Sequence, residues 1–397
     1  MELVERSNPW WFLPNWTDED RTLVMWNGQK VRWMPSWLDS LSTQPYSLNF
    51  VYGPRQTGKT TGIKLLIKRL TEKGVAPQSV FYLDLDMVAS LREFRDLMEY
   101  VVRQKRKQAV KTAYVFLDEV ASVREWWKVF RFLVDRGDFM NDVVTVLGSS
   151  TLGLVKAPEM FPGRRGFGKN VEVLPVSFPE LIRVNGLSVE EVVYRAELLH
   201  ELWNRYLELG GFPKSLNGHP DAGQALVQSV VGEVYRAGKN PAVVQDILGS
   251  VITKMPSAMS YSSVAQELGI SHTTVREYLE LLSDTFIIGL AHFIAGGRKM
   301  PRKEKKIFFR DPFSLRTLAS WAGVKPLESA LVEGVVQEHL LRKFGEVYYF
   351  RNEFEVDVIA GGLKVEVKTG KPHRRYPKDV EVLSDMDVPR FLIRLGL

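Results

Sequence analysis

Residues Gly53-Pro54-Arg55-Gln56-Thr57-Gly58-Lys59-Thr60 spell a complete G-x-x-x-x-G-K-[ST] loop, and its flanks narrow the chain to few folds. The apolar run Leu48–Tyr52 leads in as a buried strand. Thr61–Leu70 leads out with Ile63, Leu66, Ile67 and Leu70 on one helical face, and Gly74 marks a stop. Strand, glycine loop and helix aim backbone N–H groups and the positive helix end at phosphate oxygens. In this arrangement Lys59 reaches the β- and γ-phosphates and the Thr60 hydroxyl ligates Mg²⁺. The site runs from Gly53 to Thr61 and takes ATP or ADP.

Further apolar strands are expected at Val80–Leu83, Tyr114–Leu117, Val143–Leu147 and Val171–Leu174, with helical stretches between them. That alternation indicates a mostly parallel sheet of five strands covered on both faces, whose chemistry collects at the carboxyl ends. The third strand ends in Asp118-Glu119. Asp118 is the expected Mg²⁺-side acid and Glu119 the general base. Alone, the pair would equally suit a helix N-terminus. Ser149 or Ser150, closing the fourth strand, would sense the γ-phosphate. Arg164, on the glycine-flanked loop Pro162–Gly166, is a candidate finger for transition-state charge, within one subunit or across an interface. A solvated basic loop is the other reading.

A chain of 397 residues exceeds one core and predicts two or three domains. No apolar run approaches the roughly 20 residues that span a bilayer, so no membrane partner is expected. No secretory signal is read at the N-terminus. Zero cysteines exclude disulfides, thiolate zinc sites and cysteine nucleophiles, which fits the cytoplasm. Six of the ten tryptophans fall before residue 40, and they read as pins holding an N-terminal arm to the next domain. The net charge of +6 is mild, but Arg298–Arg310 holds seven basic residues and one acid. Such clustering suits phosphate backbones or a solvated face.

Residues 180–250 read as helices, with Glu190–Glu208 periodic and Gly210-Gly211-Phe212-Pro213 as a break. Beyond them, Val264, Ala265 and Leu268 form one apolar face, Gly269 turns the chain and Ser271 caps. Val275, Tyr278, Leu279 and Leu282 form the next face. The outward positions Thr273, Thr274 and Arg276 would meet DNA, joined by wing residues Arg298, Lys299, Arg302 and Lys303. A packing module or partner dock is the alternative.

Val347–Ile359 and Leu363–Thr369 alternate around Gly361-Gly362, a two-residue hairpin signal. The implied register sets Asp357 opposite Glu366 and Glu355 opposite Lys368, all on one face. Like charges directly opposite are destabilising, and a second Mg²⁺ or a Mn²⁺ would relieve them. Lys368 would steady a phosphate, and Glu333 or Glu338 would add an acid. A solvent-facing hairpin is the plainer reading.

In order, Asn8-Pro9-Trp10-Trp11, Gly53–Thr60, Phe116–Glu119, Gly148–Ser150, Gly163-Arg164, Ser177–Leu181 and Leu209–Pro213 resemble prokaryotic (archaeal-type) AAA-like P-loop ATPases. That family ends in a PD-(D/E)XK nuclease-like domain, and Glu333-Gly334, Val356-Asp357 and Glu366-Val367-Lys368 match its pattern. The resemblance implies a Trp-rich arm (1–45), an ATPase core (46–182), a helical lid (183–245), a winged helix (246–310) and an α/β restriction-endonuclease-like domain (311–397). The expectation is an ATP hydrolase acting on DNA, or a slow ATP-operated switch that cuts nothing. Homo-oligomerisation is left open.

Overall fold

The computed structural model describes residues 2–148, 154, 157–351, 355–368, 376–384 and 386–396, with side chains from residue 4. It divides into two compact units, Met1–Leu174 and Pro175–Leu397. No helix among the described residues is long and apolar enough to cross a membrane.

The first unit is built on strands β1 (Ser47–Tyr52), β2 (Val80–Asp84), β3 (Tyr114–Asp118), β4 (Val143–Gly148) and β5 (Asn170–Glu172). They pair in parallel in the order β2-β3-β4-β1-β5. Alternating side chains serve two cores. Phe50, Val115, Leu117 and Val146 pack with Phe94, Phe130 and Phe161 on one face. Val51, Phe116 and Leu147 pack with Ile63, Leu66 and Ile67 of the Lys59–Glu72 helix on the other. Two-faced burial explains why β2, β3 and β4 are apolar at nearly every position, whereas the edge strand β5, expected over Val171–Leu174, is Asn170–Glu172 with only Val171 buried.

The N-terminal arm covers the sheet edge, as its tryptophans suggested. Asn8 mimics a strand: its amide donates to the Tyr82 carbonyl at 2.8 Å and accepts the Tyr82 N–H at 2.7 Å. The Trp10 and Trp11 indoles both donate to the Val80 carbonyl, at 3.0 and 2.8 Å. The outward backbone groups of β2 are thereby satisfied instead of left to recruit another chain. Trp37 lies so close to the loop helix that a Cβ on Gly62 would sit 2.3 Å from its ring.

The second unit begins with the Phe178–Val184 helix, whose Ser177 and Glu180 form a reciprocal capping box. The helix expected over Glu190–Glu208 is two, Val189–Val192 and Ala196–Leu209, because Arg195 leaves helical geometry (φ −103°, ψ 84°). Helices Tyr261–Leu268 and His272–Asp284 meet at Gly269 (φ 66°), and Ser271 caps the second through the Thr274 N–H at 3.0 Å. Val264, Ala265, Val275, Tyr278, Leu279 and Leu282 are buried, as the pattern required.

A hairpin follows, made of β6 (Ile288–Ala295), β7 (Arg298–Lys299) and β8 (Lys305–Phe309). Strand β6 then pairs in parallel with β9 (Tyr348–Arg351), which continues into β10 (Glu355–Ala360), β11 (Leu363–Lys368) and β12 (Glu381–Ser384). The boundary expected near residue 310 therefore falls inside one continuous sheet. Helix Glu328–Phe344 packs on that sheet, with Gly334 beside Phe308 and Phe309 and Glu333 reaching Lys306 on β8.

Candidate functional site

The phosphate loop stands at the carboxyl end of β1. Gly53 is obligatory there: a Cβ would lie 2.0 Å from the Val173 carbonyl oxygen. Left-handed Gln56 (φ 66°) and Gly58 (φ 85°) bend the loop into the helix that Lys59 opens. The Lys59 ammonium is buried and donates to the Gly53 and Pro54 carbonyls at 2.8 and 2.6 Å. The Thr57 hydroxyl donates to the same Pro54 carbonyl at 2.9 Å.

Strand β3 delivers the acids. The Thr60 hydroxyl donates to Asp118 Oδ2 at 2.7 Å, so the two expected Mg²⁺ ligands already meet. Asp118 Oδ1 accepts the Glu119 N–H at 3.0 Å. Glu119 holds a left-handed backbone (φ 49°), a strained state for a non-glycine residue and one concentrated at active sites. Burial, reinforced by Asp118, pushes its carboxyl up, while Arg55 and Lys59 pull it down. A raised carboxyl suits a general base.

One participant was not read from the sequence. Tyr82, on β2, donates its phenol to Asp118 Oδ2 at 2.8 Å. Burial and then Asp118 raise that phenol, which keeps it protonated and donating. Lys64 lies 4.1 Å from the Tyr82 ring and 4.9 Å from that of Trp10, and pairs with Asp20 at 3.3 Å. The arm thus reaches Asp118 through Asp20, Lys64 and Tyr82. The only sequence signal was a polar aromatic within an apolar strand. Tyr82→Phe removes a hydrogen bond to a charged group, worth about 1.5–3 kcal/mol. It should raise the Mg²⁺ concentration for half-maximal ATP turnover while metal-free ATP binding holds. An unchanged Mg²⁺ titration of phosphate release would remove Tyr82 from this role.

Arg164 is not at this site within the chain. Its loop runs beside the start of β1, where Gly166 bridges Ser47 and the Leu48 N–H reaches the Arg165 carbonyl at 3.0 Å. At ~3.3 Å per residue the strand separates that level from Gly53 by roughly 20 Å. The guanidinium instead pairs with Asp135. Sequence spacing alone could not tell which end of the sheet the loop would meet. Ser149 and Ser150 lie outside the described residues.

The second cluster forms on the C-terminal hairpin with the register read from its glycines: Val358 opposes Val365 and Ala360 opposes Leu363. Gly361 (φ 55°) and Gly362 (φ 84°) supply the turn. Glu333, Asp357, Glu366 and Lys368 do converge. The Asp357–Glu366 opposition, however, is relieved by protein donors. Glu366 Oε2 accepts the Asp357 N–H at 3.2 Å, and Asp357 Oδ2 accepts the Val367 N–H at 2.9 Å. Glu366 Oε1 takes the Tyr376 hydroxyl at 2.9 Å and Lys368 at 2.5 Å. Glu338 points elsewhere, pairing with Arg310 at 2.8 Å and Arg342 at 2.7 Å.

The unforeseen member here is Lys306 on β8, which reaches Asp357 at 2.6 Å, Glu333 at 2.9 Å and Glu355 at 3.0 Å. Burial alone would lower this lysine, but the three carboxylates outweigh it and hold the ammonium charged. The basic run had suggested one surface patch. In fact it divides: Arg298, Lys299, Arg302 and Lys303 are exposed, whereas Lys306 and Arg310 are buried. Their i, i+4 spacing within the apolar stretch Lys306–Arg310 was the available signal.

On the helix pair, Thr273 and Arg276 face solvent, but the Thr274 hydroxyl is engaged with Ser271 at 2.8 Å. Arg276 lies 3.8 Å from Glu280, and Glu277 binds Lys239 at 2.8 Å, so this helix is not a basic surface.

Comparison with known proteins adds the following. A family model described as "AAA domain" matches residues 46–182, and one described as a domain of unknown function (DUF8612) matches residues 200–325. An uncharacterized protein of Haemophilus influenzae is 21% identical, the alignment covering 81% of this chain and 76% of that one. An uncharacterized protein of Methanocaldococcus jannaschii is 26% identical, with 81% and 74% covered. One of Mycobacterium tuberculosis is 27% identical, with 81% and 68% covered. Among solved structures, the Aeropyrum pernix ORC2 protein in its ADPNP-ADP complexes overlaps with a TM-score of 0.39 at 13% identity, covering 71% of this chain and 89% of that chain. Cdc6p from Pyrobaculum aerophilum gives 0.30 at 12%, covering 82% and 95%. At those scores the overlaps assign no residue or activity to this chain. The matched model and the loop geometry agree in placing an AAA-like P-loop fold at residues 46–182.

Proposed function

We propose that this chain is a Mg²⁺-dependent ATP hydrolase whose cycle governs a DNA-contacting winged helix. The observation that carries the reading is the meeting of Thr60 and Asp118 at the head of the phosphate loop, with Lys59 and Glu119 at the same end of the sheet. Those groups fit the magnesium ion that accompanies a nucleoside triphosphate: a hydroxyl and a carboxylate, both oxygen donors, meet beside the helix N-terminus. The ion would be held by Thr60 and Asp118 and would neutralise charge developing on the phosphates. Lys59 would exchange its loop carbonyls for phosphate oxygens. Glu119 would take a proton from the attacking water, and Tyr82 would hold Asp118 in place.

DNA contact is assigned to the β6–β8 hairpin ahead of the helix pair itself. Exposed Arg298, Lys299, Arg302 and Lys303 crowd its tip, whereas Glu277 and Glu280 offset Arg276 on the second helix. Side chains of this kind grip the phosphate backbone and read little sequence. Replacing the four hairpin cations with alanine should weaken binding evenly across DNA sequences. The slope of log K against log salt should flatten by roughly 0.9 for each phosphate that the variant leaves unneutralised. Fluorescence anisotropy at several salt concentrations measures this, alongside ATPase assays with and without DNA. An unaltered salt slope, or turnover indifferent to every DNA offered, would contradict the DNA half of the reading.

A further inference from the structure

A nuclease-like hairpin implies a divalent ion, yet the oxygens it would need are committed to other partners. Asp357 Oδ1 accepts Lys306 at 2.6 Å, and Oδ2 accepts the Val367 N–H at 2.9 Å. Glu333 Oε1 accepts both Lys306 at 2.9 Å and the Gln337 amide at 3.0 Å. Glu366 has both oxygens occupied by Asp357 N–H, Tyr376 and Lys368. These residues do not fit a metal centre of the expected kind. Such an ion requires several oxygens with lone pairs turned to one point.

We infer that Lys306 is a built-in cation, its ammonium taking the place that a divalent ion would hold between Glu333, Glu355 and Asp357. Three carboxylates surround the ammonium at 2.6–3.0 Å: Asp357 and Glu333 accept hydrogen bonds from it, and Glu355 pairs with its charge. Only 2% of the Lys306 side chain is exposed, against 6% for Glu333 and 8% for Asp357, so the centre of the cluster is sealed, with Glu355 at its rim. It ties β8 to the Glu328–Phe344 helix and the β10–β11 hairpin. The cluster is a metal-independent ionic core, and the chain is closed to cleavage chemistry at this place.

The inference is separate from the nucleotide site and is tested without nucleotide. Mn²⁺ is titrated calorimetrically into the full chain, and thermal unfolding is followed with and without it, for wild type, Asp357→Asn, Lys306→Met and Lys306→Met/Asp357→Asn. Wild type should show no Mn²⁺ binding that Asp357→Asn removes. Lys306→Met, left with acids and no counter-cation, should unfold at a lower temperature and regain stability in Mn²⁺. It should bind at least one Mn²⁺ more than wild type, and the double variant should lose that gain. Mn²⁺ binding to wild type that disappears in Asp357→Asn would overturn the inference. So would a folded Lys306→Met that gains no Mn²⁺ site. Should Lys306→Met not fold, the comparison of wild type with Asp357→Asn still decides.

Discussion

Glu119→Gln should hydrolyse ATP at least about a hundred-fold more slowly than the wild-type chain, the lower bound for losing a general base, while binding the nucleotide equally well. The amide keeps the shape of the carboxylate and the left-handed backbone (φ 49°), so the substitution removes proton acceptance and little else. The pH profile gives a second readout. A base acts when ionised, so turnover falls as pH drops through the Glu119 pKa. Burial and Asp118 raise that value, which moves the acid limb to higher pH than an ordinary glutamate sets. In Glu119→Gln this limb should vanish with the rate. Phosphate release across a pH series checks both, and turnover unchanged in the variant would remove Glu119 from the mechanism.

The largest loss of stability should follow Glu338→Ala. Its carboxylate is 2% exposed and binds Arg310 at 2.8 Å and Arg342 at 2.7 Å, each of those side chains being 9% exposed. Arg342 also donates to the Pro175 carbonyl at 2.7 Å, tying the Glu328–Phe344 helix to the start of the second unit. Removing the carboxylate takes away the buried negative charge that Arg310 and Arg342 share. Breaking a buried pair in this way costs about 3–5 kcal/mol, which for a unit of this size lowers the melting temperature by roughly 10 °C. Asp379→Ala is the contrast. Its pair with Lys364 is exposed, and such a pair is worth about 0–1 kcal/mol. Thermal unfolding followed by circular dichroism separates the two. Equal melting temperatures would mean that the Glu338 network adds nothing.

Local pattern carried much of this fold because local physics decided it. Strands β1 to β4 were visible as apolar runs, since burial on both faces leaves few polar positions. The hairpin register followed from Gly361-Gly362, because a two-residue turn with positive φ at both positions fixes which residues face each other. Gly269 and Ser271 likewise marked the joint between the two helices. What escaped depended on distant partners. Lys306 looked like part of a surface patch until Glu333, more than twenty positions on, closed over it. Asn8 and Tyr82 meet across the sheet edge, and nothing in either segment announces the other. Arg164 shows the same limit: a glycine-flanked arginine was legible, but not that within the chain it lies at the other end of the sheet, leaving action across an interface or a solvated loop. The hairpin acids were placed correctly but assigned a cation from outside, because the backbone donors and Lys306 become apparent only in three dimensions.

Lys59, Thr60 and Asp118 are proposed to build a nucleoside triphosphate site, and calorimetric titration of the purified chain with ATP in Mg²⁺ is its decisive test. The expected isotherm shows one saturable site per chain that weakens sharply when Mg²⁺ is chelated. A chain that stays folded and takes up no ATP, with or without Mg²⁺, would contradict it.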